Sequence, residues 1–424
     1  MSDRAPADRE GRLRSAWIVA AFGFFALAFE GYDLIVYGSA VPTLLAYRDW
    51  HLTPTQVGAI GGVALLGMCF GAPVAGWFAD RFGRRAAYIG MLSFFSIMMI
   101  GVAMAPTPAM LGTFRFLAGL GFGGLPPAIV ALVVEFAPPR RKVLFTTGMS
   151  VGFGVGGIFA GMTAIALLAE IGFRGLFALG ALPLVTLVPL AAWLLPESPS
   201  FGSQPSASVF EHKNPAAWTG VVRGRAGLAT GLFAAANFSG LMMSWGINVW
   251  LPQLMRGAGY DLGSALQFLV TLNIGAVLGA VGGGWLADRY GARIVATGFF
   301  LIGGLSLALL TLPLSPALRM LPVFMLGATA LSDQSVLLGY IATHYASEFR
   351  ATALGVISGI GRLGAASGPL VGGVLVGAGV GLDGSVGFFA SAAVVAAVAA
   401  FLVPRITVPS NVSIADASGM TQRV

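Results

Sequence analysis

Apolar runs of about 20 residues, the length that carries a helix across roughly 30 Å of hydrocarbon, recur along the chain between short polar breaks. They begin near Ser15, Thr55, Ala86, Ala109, Val143, Arg174, Arg225, Gly263, Ile294, Leu318, Thr352 and Ser385. The breaks hold turn-forming residues, as in Pro106-Thr-Pro108, Pro138-Pro139, Pro313-Leu-Ser-Pro316 and Asp383-Gly384. The pattern predicts an all-α polytopic membrane protein of twelve transmembrane helices. Its first run is longer than a signal-peptide core and has no clear cleavage site, so the first span is expected to be retained.

Composition agrees. The 424 residues are 57% hydrophobic and only 10% charged, against about 25% charged in soluble domains. The single cysteine, Cys69, rules out an intramolecular disulfide and a cysteine-rich metal site, and it reads as a small packing residue. His51, His212 and His344 are too scattered for a metal site. No nucleophile elbow, Walker loop or H-E-x-x-H pattern accompanies the glycine runs. No cofactor is expected, and an enzyme is not.

The net charge of +7 does not mark nucleic-acid binding, because the basic residues form no patch interleaved with aromatics. They sort by loop. With both termini placed inside, 18 Lys and Arg fall on inner segments and 4 on outer loops (Arg48, Arg174, Arg256 and Arg319), leaving Arg115 and Arg362 within the membrane. By the positive-inside rule this predicts cytoplasmic termini and, for a bacterial protein, a place in the inner membrane. Trp17, Trp77, Trp193 and Trp285 fall near span ends and read as interface anchors.

The longest polar break divides the chain. The expected organisation is an N-terminal tail (1–15), a six-helix bundle (16–195), a central cytoplasmic linker (196–224), a second six-helix bundle (225–404) and a C-terminal tail (405–424). A repeat supports it: Gly76-Trp-Phe-Ala-Asp-Arg-Phe-Gly-Arg-Arg85 matches Gly284-Trp-Leu-Ala-Asp-Arg-Tyr-Gly-Ala-Arg293 at an offset of 208 residues. A weaker match pairs Phe136-Ala-Pro-Pro-Arg-Arg141 with Tyr345-Ala-Ser-Glu-Phe-Arg350. Parallel repeats of this kind place a substrate site near the midplane between the halves.

The first of these loops, with Gly76, Asp80, Arg81, Gly83, Arg84 and Arg85, resembles the signature of the major facilitator superfamily, and the copy with Asp288 and Arg289 is a degenerate second one. Gly83 suits the tight turn, while the acid and arginines can bond neighbouring helix ends and latch the inner side; plain positive-inside anchoring is the simpler account of Arg84 and Arg85. Narrower features are similar to the aromatic acid:proton symporter branch. They are Glu30-Gly-Tyr-Asp33 in span one, Arg115-Phe-Leu-Ala-Gly-Leu-Gly-Phe-Gly-Gly124 followed by Glu135-Phe-Ala-Pro in span four, Leu195-Pro-Glu-Ser198, and Arg350-Ala-Thr-Ala-Leu-Gly355 with Gly359-Ile-Gly-Arg-Leu-Gly364 and Gly368-Pro369. Three positions depart from that branch: Glu30 replaces its usual Asp, Pro127 stands where an Asn is usual, and Asp333 is an added acid.

Intramembrane charges are costly and read as functional by default. Asp33 is the leading candidate for proton coupling, against a permanently paired structural acid. Glu30, one turn earlier, is a second proton site or an aid to substrate orientation. Arg362 can hold a carboxylate bidentately, or form a structural pair with Asp333. Arg115 tunes an acid and draws in anions, or pairs structurally. Glu135 is expected to pair with Arg140 or Arg141 at the cytoplasmic gate. Tyr32, Tyr37, Trp245, Phe238 and Tyr340 are candidates to stack on an aromatic ring, and Asn237, Asn248, Asn273 and Gln334 to bond its substituents; helix packing is the simpler reading of each. The glycine run Gly152 to Gly157 fits close helix packing.

The resemblance implies two bundles rocking about a central cavity, and import of a small aromatic carboxylate with a proton by a monomer in the lipid bilayer. The alternatives are a proton-coupled drug or other organic-anion transporter, against whose drug-exporting form Arg362 argues, and a ligand-binding sensor without flux.

Overall fold

The computed structural model describes residues 6–138, 141–198, 221–330 and 332–404. Most of the expected central linker and the C-terminal tail therefore lie outside the described residues. Within them the chain is helical: α1 Pro6–Ala46, α2 Pro54–Phe82, α3 Arg84–Met104, α4 Pro108–Phe136, α5 Lys142–Leu179, α6 Leu187–Leu194, α7 Gly224–Gly257, α8 Leu262–Tyr290, α9 Ala292–Leu310, α10 Pro316–Ala330, α11 Ser332–His344, α12 Ser347–Gly377 and α13 Gly381–Leu402. Eleven segments are long and apolar enough to cross a membrane, with α10 and α11 counted as one. The sixth predicted span is broken. Gly172, between the fifth and sixth predicted spans, adopts φ +64° and turns the end of α5 away from its axis, and inside the sixth span a 3-10 turn at Leu182–Leu184, containing Pro183, separates that end from α6.

The turns follow from local chemistry. Thr53 and Gln56 form a capping box at the start of α2, and Asp261 caps α8 through Ser264. Hydrogen bonds from the Ser264 hydroxyl and backbone hold the Asp261 carboxyl below its ordinary range. In the signature loop, Gly83 takes φ +92° and joins α2 to α3; its repeat partner Gly291, at φ +88°, joins α8 to α9. Both donate their N–H back into the preceding helix, to the Ala79 and Ala287 carbonyls at 3.0 and 2.9 Å. The sequence repeat is thus a repeat of backbone geometry.

Small residues set the packing inside each half, as membrane helices require where no water drives association. Gly31 lies against the Phe153 carbonyl, and Gly152 and Gly156 lie against those of Phe24 and Ala28, which brings α1 and α5 into contact. Gly119 and Gly123 do the same for α4 on α2. The second half repeats the device: Gly364 and Gly368 seat α12 on α7, and Gly275 and Gly279 seat α8 on α10. The resulting core is rich in large side chains, among them Phe95, Phe122, Phe177, Phe268 and Trp250, all buried. Trp17, Trp77, Trp193 and Trp285 are exposed.

Among the described residues the closest contacts between the two halves lie on the α1–α2 loop side. Gly58 and Gly62 at the start of α2 lie against the Pro369 and Ala366 carbonyls of α12, Gly373 lies against Pro54, and Gly38 lies against Asn248. Nearer the midplane, Gly154, Gly157 and Gly161 of α5 face Val277, Asn273 and Val270 of α8. Towards the basic face, which carries the α2–α3 and α8–α9 loops, the described polar contacts stay within their own half: Arg84 pairs with Glu135, and Arg293 donates to the Phe401 carbonyl. The arrangement is sealed on the α1–α2 loop side and parted on the basic side.

Candidate functional site: a cavity between the halves

Where the halves part, a cavity of about 460 Å³ is lined from both, within the range of small-molecule sites. Its walls are mainly apolar: Leu34, Leu65, Met68, Phe153, Leu241 and Trp245. Several of these belong to one cluster that bridges the halves. The Phe153 and Trp245 rings meet edge-on, with centroids 6.3 Å apart and planes at 85°, a favoured aromatic geometry. Against this wall stand Glu30, Arg362, Gln334, Ser150 and Ser335.

Arg362 belongs to α12, yet its Nη1 donates to the Met68 carbonyl of α2 at 2.7 Å. One guanidinium therefore ties the two halves, and it lines the same cavity as Glu30. Glu30 is 4% exposed, and its Oε2 has no hydrogen-bond partner. Cys69, next to the Met68 tether, is half-buried with its Sγ 3.5 Å from the Leu65 carbonyl.

Asp33 is elsewhere. It is 1% exposed and pairs with Arg115 of α4, Oδ1 to Nη1 at 3.4 Å. The Arg115 guanidinium also lies over the Tyr37 ring, 4.3 Å from its centroid, a cation–π distance. This buried pair ties α1 to α4 behind the cavity wall. Three residues along a helix leave two side chains about 60° apart, so Glu30 reaches the cavity while Asp33 turns to α4.

The structure therefore corrects several sequence expectations about position. Asp33, Arg115, Tyr32, Asn273 and Asp333 do not line the cavity, whereas Arg362, Glu30, Trp245 and Gln334 do. The Tyr32 and Tyr37 hydroxyls are spent on the Leu176 and Val57 carbonyls, and neither Phe238 nor Tyr340 contributes to the lining. The amide of Asn237 joins α7 to α12 through the Ile357 carbonyl, while those of Asn248 and Asn273 bond carbonyls one turn back in their own helices. Arg362 makes no ion pair with Asp333; it bonds Met68 instead.

At the basic face, Glu135 has Arg84 as ion-pair partner and accepts from the Ser198 hydroxyl at 2.6 Å. The expected partner Arg140 lies outside the described residues, and Arg141 is exposed. The Glu197 carboxylate accepts from the Arg85 backbone N–H at 3.2 Å, and the Arg85 side chain reaches the Ala192 carbonyl. Leu195-Pro-Glu-Ser198 thereby closes onto the signature loop, a role its sequence did not reveal. Asp80, Arg81, Asp288 and Arg289 are exposed, the two arginines lying over neighbouring rings, and Gly76 has open space around it. Sequence reasoning also missed Phe153: it stands inside the glycine run assigned to packing, and the same glycines that admit α1 turn its ring towards the cavity.

Two parallel six-helix halves around a shared, largely apolar cavity define a membrane carrier. The chain belongs to the Major Facilitator Superfamily, whose sequence model matches residues 23–337 and 283–419. It is 34% identical to the benzoate transport protein of Acinetobacter baylyi over 85% of this chain and 83% of that one. It is 35% identical to the gentisate transporter of Corynebacterium glutamicum, over 91% and 86%. These relatives are transporters, not enzymes. Among solved structures, the nucleoside transporter NupG superposes with a TM-score of 0.77 at 16% identity, covering 92% of this chain and 99% of that one. The D-xylose-proton symporter gives 0.73 at 19%, covering 93% and 98%. Both show the fold.

Proposed function

We propose that this protein imports a small aromatic carboxylate, of benzoate or hydroxybenzoate type, together with a proton, acting as a monomer in the bacterial cytoplasmic membrane with both termini inside. The observation that carries the reading is the single cavity that holds one guanidinium, one unpartnered acid and an edge-on aromatic pair. Arg362 offers the bidentate fork for the carboxylate, and the Phe153–Trp245 wall takes the ring. Relatives named for benzoate, gentisate and gallate support the substrate class.

Glu30 is the acid that couples cargo to the proton. An ionised Glu30 competes with an incoming anion for Arg362, and a protonated one leaves the guanidinium free, so proton and substrate favour each other's binding. The Asp33–Arg115 pair is the second charged element. It fixes α1 against α4 and responds to any movement of Glu30 one turn away. With the termini inside, the parted basic face is the cytoplasmic one, and the state described is inward-facing. Asp80 and the signature loop latch that face when it closes.

The test is uptake of a labelled benzoate panel into proteoliposomes under an imposed gradient, acidic outside. Wild-type protein accumulates at least one member, and Glu30→Gln abolishes accumulation while retaining exchange of labelled for unlabelled cargo. Failure of the wild type with every benzoate would sink the substrate assignment, and full gradient-driven accumulation by Glu30→Gln would remove Glu30 from the coupling step.

A further inference from the structure

The coupling scheme above leaves one buried acid unused. Asp333 stands in the first turn of α11 and is 2% exposed. Its Oδ2 has no hydrogen-bond partner, and it lies near Gly240 of α7, at the point where the Phe300 ring of α9 also closes in. Its other neighbours are neutral. On its own helix the backbone N–H of Gln334 is the donor beside it. From α7, Ser244 gives its hydroxyl to the Ala330 carbonyl, and the Asn237 amide is turned to α12. Ser332 faces α8 at Gly279, away from the acid. Among the described residues no Lys, Arg or His forms an ion pair with Asp333, and no charged group acts on it.

An ionised carboxylate in such a place faces the desolvation cost of a buried charge with one backbone N–H and no ion-pair partner to offset it. The neutral acid has only an O–H to place, a much smaller demand. Gln334, Ser335 and Leu338 of the same helix line the central cavity, and at about 100° per residue they stand about 100–200° round α11 from Asp333, so the carboxyl faces away from cavity water and reaches it only when α11 turns through a large angle.

We infer that Asp333 is a second proton-binding site, in the half opposite Glu30, occupied in the conformation described and exchanging its proton with cavity water when α11 turns. Oδ2 takes the proton from water in the cavity and returns it there; no other group is altered. The occupancy of the site stands on its own surroundings. Its share in coupling rests on the reading of the protein as a proton-driven carrier.

Infrared difference spectroscopy on purified protein at neutral pH separates the two. The wild type shows a protonated-carboxyl band that Asp333→Asn removes and Glu30→Gln keeps. If Asp333→Asn does not fold, a shift of that band in Asp333→Glu serves instead. A spectrum unchanged in the Asp333 variants, or a wild-type band abolished by sodium ions, would overturn the site. In proteoliposomes, Asp333→Asn should carry one proton fewer per substrate, read from the voltage that stops net flux; an unchanged ratio would overturn its part in coupling. Absence of any proton movement with the wild type would instead refute the reading of the protein as proton-driven, whatever the infrared band shows.

Discussion

Arg362 holds a backbone carbonyl of the opposite half with one nitrogen and shares the cavity with Glu30. Arg362→Lys keeps the charge and loses the fork, so the half-saturating substrate concentration should rise by about ten- to a hundredfold, the worth of one hydrogen bond to a charged group. Initial-rate transport assays with a hydroxybenzoate check this. A different outcome is expected behind the wall. Asp33→Asn strands the Arg115 charge in a buried site, which costs about 3–5 kcal/mol when a partner is removed, whereas Asp33→Asn with Arg115→Gln recovers much of that loss; thermal unfolding in detergent compares the two. The charged residues themselves were legible in the sequence, because an ionised side chain inside an apolar run needs a reason. Their pairing was not. Glu30 and Asp33 both stand as acids in one apolar run, and only the direction of each side chain about α1 decides which reaches the cavity that Arg362 lines and which pairs with Arg115.

Helix spans were readable because roughly 20 apolar residues are what a bilayer demands of any crossing segment. The interruption of the sixth span was harder to see, since Pro183 sits in an apolar run, Gly175 to Leu195, that holds no charged residue. The seal between α2 and α12 was also hidden: its glycines read as generic small residues until the carbonyls facing them are known. Gly62→Val tests that seal. A side chain there meets the Ala366 carbonyl, and overpacking of a close contact costs about 1–3 kcal/mol, which shifts the population away from the sealed state by about 5- to 150-fold. Distances between spin labels on the α1–α2 loop and on the end of α12 should lengthen accordingly. Gly148, with open space around it, is the control position for the same substitution.

On the scale of the whole molecule, the described polar contacts at the basic face each lie within one half. The Arg84–Glu135–Ser198 cluster and the Glu197 contacts bind the signature loop to the end of the sixth span within one half. Asp80 is exposed beside them, and in the proposed cycle it takes partners when the basic faces approach. Asp80→Asn should therefore leave the melting temperature unchanged while lowering turnover about tenfold, the effect of about 1.4 kcal/mol on the closing step. Turnover and melting measured on the same preparation separate these effects. The parallel repeat was visible from two ten-residue stretches, but which side is shut depends on contacts between segments some 300 residues apart, and no local pattern encodes that.

The Met68 tether also has a practical consequence. Its neighbour Cys69 is the only cysteine in 424 residues, half-buried on the helix that Arg362 grips from the other half. The unaltered chain is thus already a single-label specimen: one thiol-reactive dye marks one place, a residue away from the hydrogen bond that joins the two halves. Reaction of that thiol can be timed as cargo is added or the membrane is energised, giving a clock for the transport cycle with no residue replaced.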